Sequence, residues 1–347
     1  MKIAIVGTGI AGSLAAHHLN KKHDITVFEA ENYVGGHTHT HTIELGAEKQ
    51  IIDTGFIVFN KKTYPNFLNL LKELDVDYQS SDMSFSVQNE RTGLEYNGTN
   101  LNTLFAQRRN LFRPRFYRMI KQILRFNEES LSLLSDDTHS ISKPLIAGHK
   151  DKILLSAPVE NVRRTESDVF VKAAGHEEER FDYVFIASHS DQALSVLAEP
   201  STLENEVLGA IPYTDNEAVL HYDESVLPKH KLAWGAWNYH LLKEKKDRVA
   251  LTYNMNILQS LKSDYTFSVT LNNTATIDPN KIIKVLQYTH PFFSIEGVKA
   301  QQKHSELNGQ NRTYYCGAYW RYGFHEDGVV STLQALEDFD RDLLSEK

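Results

Sequence analysis

A single cysteine, Cys316, stands in a chain of 347 residues, so no disulfide can close within it and no cysteine-rich zinc site can form. Such sparing use of cysteine fits a reducing compartment, and the expected location is cytoplasmic. No run approaches the roughly 18–20 uninterrupted apolar residues of a membrane-spanning helix, so no transmembrane segment is expected. The mostly apolar start from Met1-Lys2 to Ala16 can be mistaken for a signal peptide. Three glycines at fixed spacing and an immediate second strand explain the same residues better. Positive charge is in deficit: 37 Lys and Arg face 45 Asp and Glu, a net charge of -8. A protein built as a whole to hold nucleic acid normally shows the opposite surplus. Internal repetition is lacking too, with no period of about 20–50 residues and no low-complexity tract.

What is present is an ordinary globular composition, 41% hydrophobic and 24% charged. The chain is long enough for two packed cores, because single cores stop growing near about 250–300 residues. Lys2–Val6 reads as a short buried strand, Gly7–Gly12 as a turn, Ser13–Lys21 as a helix and Asp24–Glu29 as a second strand. Strand-like runs at Lys152–Arg164, Asp168–Ala173 and Asp182–Ala187 read as a return to that first unit. Tyr64–Phe126 and Asp191–Ala300 mix helical and strand-like patterns, which suggests a second unit assembled from two insertions.

Gly7-Thr8-Gly9-Ile10-Ala11-Gly12 fits G-x-G-x-x-G in the required context, with a strand before it, a helix after it and an acid at the end of the next strand. Gly7 permits the tight turn, Gly9 removes a Cβ that would block a pyrophosphate, and Gly12 lets the helix approach the sheet. The phosphates then meet a helix N-terminus carrying about half a positive charge. Glu29, 20 residues beyond Gly9, stands where a carboxylate accepts hydrogen bonds from ribose hydroxyls and repels a 2′-phosphate. NAD and FAD share this fingerprint.

The residues that follow separate them: Ala30-Glu31-Asn32-Tyr33-Val34-Gly35-Gly36-His37, then Ile52-Asp53-Thr54-Gly55-Phe56, and near the end Gly317-Ala318-Tyr319-Trp320-Arg321-Tyr322-Gly323-Phe324-His325-Glu326-Asp327-Gly328-Val329-Val330-Ser331. Together they resemble the flavin-containing amine oxidase superfamily. The nearest likeness is to a bacterial subgroup described as predicted NAD/FAD-binding, amine-oxidase-like proteins, through Asp53–Asn60, Ser81–Ser86, Leu104–Pro114, Thr252–Leu258 and Gly317–Ser331. The resemblance implies an α/β fold, a Rossmann-like FAD-binding domain of amine-oxidase and glutathione-reductase type with an inserted α+β substrate domain. It divides the chain into FAD-binding parts at 1–62, 146–190 and 310–347, with substrate-domain parts at 63–145 and 191–309.

Carried over by position, Gly7, Gly9, Ile10, Ala11 and Gly12 would hold the pyrophosphate and Glu29 the AMP ribose. Gly35, Gly36 and His37 would meet the pyrophosphate and ribityl side, and Val159 would offer its backbone to the adenine. Asp327, Gly328 and Val329 would face the flavin, where helix-start N–H groups stabilise negative charge on a reduced ring. Ala30, Thr38, Gly55 and Phe56 complete the implied cofactor contacts. The chain departs from the subgroup in its middle: from Leu131 a polar stretch reaches Ile141 almost at once, where relatives carry a longer helical section. That section should help to exclude water from the flavin, so catalysis is the property its shortness affects.

Flavin is itself the electron sink, so no acid or base need stand out. His325 and Glu326, beside the flavin motif that the resemblance implies, are candidates for proton transfer or for structural hydrogen bonds at the helix start. His37, His39 and His41 alternate, and on one strand face three imidazoles are a candidate metal site. Without an obvious fourth ligand, polar contacts or a solvated strand are preferred, and no metal is expected. Trp234–Tyr239, Thr252–Asn256 and Tyr319-Trp320 read either as a cavity lining with Asn254 and Asn256 as anchors, or as core strands. Between Leu104 and Phe126 lie Arg108, Arg109, Arg113, Arg115, Arg118, Lys121 and Arg125 without one acid. The segment reads as a peripheral membrane contact or a site for an acidic substrate, or as an amphipathic helix exposing its charged heads. The function these features favour is FAD-dependent oxidation of a small or lipid-like apolar substrate by hydride transfer. A non-catalytic or truncated FAD-binding protein and an NAD-dependent dehydrogenase are the alternatives.

Overall fold

The computed structural model describes residues 1–55, 58–130, 138–141, 149–244 and 248–345, and their side chains except those of 126–130, 138, 140 and 141. Lys2–Val6, apolar after its first residue, is the middle strand of a five-stranded parallel sheet ordered Ile153–Leu154, Asp24–Phe28, Lys2–Val6, Tyr183–Ile186, Thr313–Tyr315. A strand covered on both faces must be apolar at successive positions, and here the two faces divide cleanly. Ile3 and Ile5 pack against Ala11, Ala15 and Leu19 of the helix Ile10–Leu19 and against Phe339 of the C-terminal helix His325–Ser345. Ala4 and Val6 pack on the other side with Val162, Val171, Phe181 and Leu208. Each large apolar side chain buried this way contributes about 1.5–3 kcal/mol.

A second sheet of seven strands runs Ile282–Pro291, Tyr213–His221, Ser268–Leu271, Ala250–Asn254, Trp237–Leu241, Phe85–Asn89, Leu94–Asn97. Its pairings are antiparallel apart from Trp237–Leu241 with Phe85–Asn89, which is parallel. The hairpin Thr40–Leu45 and Glu48–Asp53 leads from the first sheet to the second and inserts Ile52 among Leu220, Phe267 and Val269.

Two expectations change in detail. The run Lys152–Arg164 is two strands: Ile153–Leu154 stays in the parallel sheet, while Val159–Arg164 joins Val169–Ala173 and Glu179–Phe181 in a separate antiparallel sheet. The break lies at Ser156, with φ of 52°, and at Pro158, which has no N–H to give a ladder. The first helix begins at Ile10 rather than Ser13, inside the glycine motif. Among the described residues, no helix is long and apolar enough to cross a membrane.

Candidate functional site

The bend after the first strand is made of three glycines with unlike reasons for being glycine. Gly7 donates its N–H to the Phe28 carbonyl at 2.8 Å and has φ of +101°, and a Cβ there would lie 2.9 Å from the Ala187 oxygen. At Gly12 a Cβ would lie 1.9 Å from the Gly7 oxygen. Both are demanded by the fold. Gly9 is not: its φ is -59° and a Cβ would meet nothing within 4 Å. The helix that starts at Ile10 has no side-chain cap and no acid in its first turn, so its leading N–H groups and positive end face this open position.

Glu29 is buried and turned towards the bend. Its Oε2 accepts the Thr8 N–H at 2.8 Å and also the Thr8 hydroxyl, and its Oε1 accepts the Glu31 N–H at 2.9 Å. Thr8 Oγ1 in turn accepts the Gly35 N–H at 3.2 Å. Gly36, with φ of +57°, lies so near that a Cβ would come within 3.2 Å of Gly9 Cα. Ala157 donates to the Glu29 carbonyl at 2.8 Å, which brings Pro158 and Val159 to the same strand end, while Ala30 is exposed.

The C-terminal helix closes the other side. A Cβ on Gly328 would lie 2.7 Å from Ile10 Cγ2, and the Thr332 hydroxyl donates to the Ala11 carbonyl at 3.3 Å. Two helix starts therefore adjoin over the glycine bend. Thr38, whose N–H donates to Gly35 O at 2.9 Å, shares a 2.7 Å hydrogen bond with His325 Nε2. Gly55 lies directly under His37, where a Cβ would collide with the His37 oxygen at 1.6 Å. Phe56 lies outside the described residues. Asp327 accepts the Tyr322 and Phe324 N–H groups at 3.1 and 2.9 Å, and burial pushes its carboxyl up. Val329 sends its side chain into the core beside Leu14 and Phe67, leaving only its backbone for the site.

Of the two proton-transfer candidates, Glu326 has a structural task. Its carboxylate accepts the Asn66 N–H at 3.1 Å, Asn66 Nδ2 at 2.7 Å and the Phe67 N–H at 2.8 Å, and so caps the helix Pro65–Glu73. His325 is buried, and burial with His37 close by pushes its pKa down to about 3. It is a neutral imidazole near pH 7. The three alternating histidines do not converge: His37 reaches the Thr289 carbonyl at 3.0 Å, while His39 stacks on Tyr33 at 3.7 Å and lies 3.9 Å from His41. His37 lies inside the turn that the Thr38 N–H closes on the Gly35 carbonyl, ahead of the strand that begins at Thr40, which is why it leaves the face His39 and His41 share. Asn254 caps the turn Met255–Leu258, and Asn256 is held by the Tyr265 carbonyl and the Phe267 N–H. Both amides thus satisfy backbone groups around this strand end. Tyr319 and Trp320 are core residues.

Residues 5–74 match a family described as NAD(P)-binding Rossmann-like domain. Tryptophan 2-monooxygenase of Allorhizobium ampelinum is 50% identical over 42 residues, which are 12% of this chain and 6% of that protein. In structure, a CLA-producing fatty acid isomerase from P. acnes aligns over 96% of this chain and 98% of its own, with a TM-score of 0.68 and 12% identity. Cyclohexylamine oxidase from Brevibacterium oxydans IH-35A aligns over 98% of this chain and 99% of its own, with a TM-score of 0.63 and 14% identity. The chain has the amine-oxidase fold.

Within the amine-oxidase fold seen here, two site residues escaped the sequence reading. Thr8 occupies a free position of G-x-G, and no spacing rule asks for a hydroxyl there. His189, whose ring lies 5.5 Å from that of His37, follows the strand Tyr183–Ile186, the neighbour of Lys2–Val6 on the side where the strand order reverses. Its signal was that position: in open parallel sheets, ligands bind beyond the carboxyl ends of strands at such a switch point.

Proposed function

We propose that the chain binds FAD along the Gly7–Gly12 bend and acts as an FAD-dependent oxidoreductase on a small or lipid-like apolar substrate. One observation carries the reading: Gly9 has no steric reason to be glycine, yet it sits between two helix starts and beside the inward-facing Glu29. A diphosphate fits that cradle, since it gains from N–H donors and positive helix ends and needs a backbone without a Cβ. Gly7, Gly9, Ile10, Ala11 and Gly12 would then hold the phosphates, Glu29 the ribose, Val159 the adenine side, and Gly35 to Thr38 with Gly328 the remainder. When bound, the flavin supplies a two-electron acceptor. His325, neutral and bonded to Thr38, would orient the start of the C-terminal helix. The match to NAD(P)-binding domains covers residues common to both dinucleotides, so the cofactor test must separate them.

An apolar substrate is favoured by the rim beside that helix start. Phe292, Tyr322 and Phe324 are 59%, 68% and 55% exposed, Phe293 and Tyr322 rings lie 6.5 Å apart, and Phe324 is 6.4 Å from Tyr64. The named neighbours act on a fatty acid and on an amine, and the apolar rim favours the first kind of molecule. The test is spectroscopic. Purified protein reconstituted with FAD should show bound-flavin bands, release FAD on denaturation, and bleach anaerobically with a member of an apolar substrate panel. Binding of NAD with no affinity for FAD would overturn the reading; flavin that no member of a broad panel bleaches would leave a non-catalytic FAD-binding protein.

A further inference from the structure

Residues 101–125 contain no acid, although the chain as a whole carries a net charge of -8. The helix Pro114–Ser130 turns Phe116 inward, against Phe105 and Tyr96. Its register then places Arg115, Arg118, Lys121 and Arg125 outward, and all four are exposed. Arg115, Arg118 and Lys121 have no ion-pair partner among the described residues, whereas Arg108 and Arg109 are held by the carbonyls of Asn102, Phe105 and Gly93. Beside these cations stands an unusual set of exposed apolar groups: Phe112 is 87% exposed, Leu124 62%, Tyr117 48% and Leu111 43%. Tyr117 and Leu124, seven residues apart, share one flank of the helix. The Tyr117 hydroxyl donates to the Leu111 carbonyl at 2.9 Å, which sets Leu111 and Phe112 against the same flank.

Exposed aromatic and aliphatic side chains beside unpaired cations suit one kind of surface, the boundary between anionic headgroups and acyl chains. Neither feature alone selects it. A polyanion such as RNA would use the cations and gain nothing from Leu111, Leu124 and Phe112, while an acidic protein surface would meet the cations but set those apolar side chains against charged groups. We propose that this face docks the protein on an anionic lipid bilayer, with Phe112, Leu111, Tyr117 and Leu124 entering the interface and Arg115, Arg118 and Lys121 meeting lipid phosphates and carboxylates. The proposal is independent of the FAD reading, because none of these residues lies in the glycine bend.

The full chain is tested by co-sedimentation with large vesicles of phosphatidylcholine, with and without one-third phosphatidylserine. Binding should require the anionic lipid and weaken as salt is raised. Each cation near such a surface contributes about five-fold to partitioning, from roughly 1 kcal/mol apiece, so the triple variant Arg115→Gln, Arg118→Gln, Lys121→Gln should bind about a hundred-fold more weakly. Phe112→Ser, at a position too exposed to affect folding, should lower binding about ten-fold on the same vesicles. Cys316 is buried, so Leu111→Cys carries a single accessible thiol, and a polarity-sensitive dye there should shift to the blue when anionic vesicles are added. Three results would each overturn the proposal: no sedimentation with anionic vesicles, equal binding to phosphatidylcholine alone, or binding that Phe112→Ser leaves unchanged and heparin competes away, which would mark a polyanion site instead.

Discussion

The two ends of the candidate site are built from different material. At the Gly7–Gly36 end the walls are backbone: three glycines in the bend, a glycine pair folded onto Gly9, and helix N–H groups, with Glu29 and Thr8 as the side chains that pin them. At the His325 end the walls are side chains brought from far apart in sequence: His37, His189 and His290 with Thr289 and Tyr288. A backbone wall restricts residue type at fixed spacing, because only glycine tolerates the φ values and approaches at Gly7, Gly12, Gly35 and Gly36, and a diphosphate would ask the same of Gly9. A side-chain wall restricts shape and polarity only, which many residue combinations satisfy.

The largest effects should separate glycines of the first end from one another. Gly12→Ala places a Cβ 1.9 Å from the Gly7 oxygen, with no flexible side chain to yield. It should cost about 3 kcal/mol or more and leave little folded protein. Gly9→Ala has open space for its Cβ and an ordinary φ, so its melting temperature should stay within about 2 °C of the parent, while FAD affinity falls about ten-fold or more. Thermal melts and flavin content per chain measure both. A Gly9→Ala protein that melts normally and keeps its flavin would end the idea that the open position receives a diphosphate.

The second end should show itself in acid. Burial pushes His37 and His189 down to about 4 and His325 to about 3, so the folded state holds them neutral while the unfolded chain binds protons below about 6.5. Stability is then complete above pH 6.5 and is lost as pH falls towards 4. These three, titrating only on unfolding, contribute at most about 4 kcal/mol per pH unit, and His39, His41, His221, His240 and His304, pushed by burial down to about 4 as well, add to the slope in the same direction. Chemical denaturation between pH 7 and 4 measures it, and His325→Asn should reduce proton uptake on unfolding by about one. A stability that is flat over this range would show that these imidazoles are not held neutral.

Glu326 marks the border between the two ends. Glu326→Ala strips an acceptor from three donors at the start of the helix Pro65–Glu73, which should cost about 2–4 kcal/mol and lower the melting temperature by several degrees. Flavin content should be unchanged in the protein that remains folded. Loss of turnover without loss of stability would return Glu326 to the proton-transfer role that its place beside the flavin motif first suggested.

What was legible in the sequence follows the same division. The strand, bend, helix and acid from Lys2 to Glu29 could be read because an apolar run, three glycines and one carboxylate each have a reason tied to spacing. Glu326 could not, because its partners Asn66 and Phe67 lie about 260 residues away and no local pattern announces a cap delivered from another helix. Asn254 and Asn256 looked like anchors because amides among aromatics suit a pocket. In the fold they satisfy backbone groups at the end of a strand, a need that arises only once the strands have paired.

The smallest predicted effect tests whether the glycine pair is placed by the bend itself. The Thr8 hydroxyl donates to Glu29 and accepts from Gly35, so it joins the acid to the second glycine segment through one oxygen. Thr8→Val preserves the branched shape and the Thr8 N–H contact to Glu29 but removes that oxygen, leaving the Gly35 N–H short of an acceptor. The cost should be about 1 kcal/mol in stability and about ten-fold in FAD affinity, since Gly35 and Gly36 lose their tie to the bend. Thr8→Ser should recover most of both. Calorimetric titration with FAD and a urea melt distinguish the cases: if Thr8→Val binds as tightly as the parent, the glycine pair is held by the Gly9 contact alone, and even the few side chains at the backbone end are dispensable.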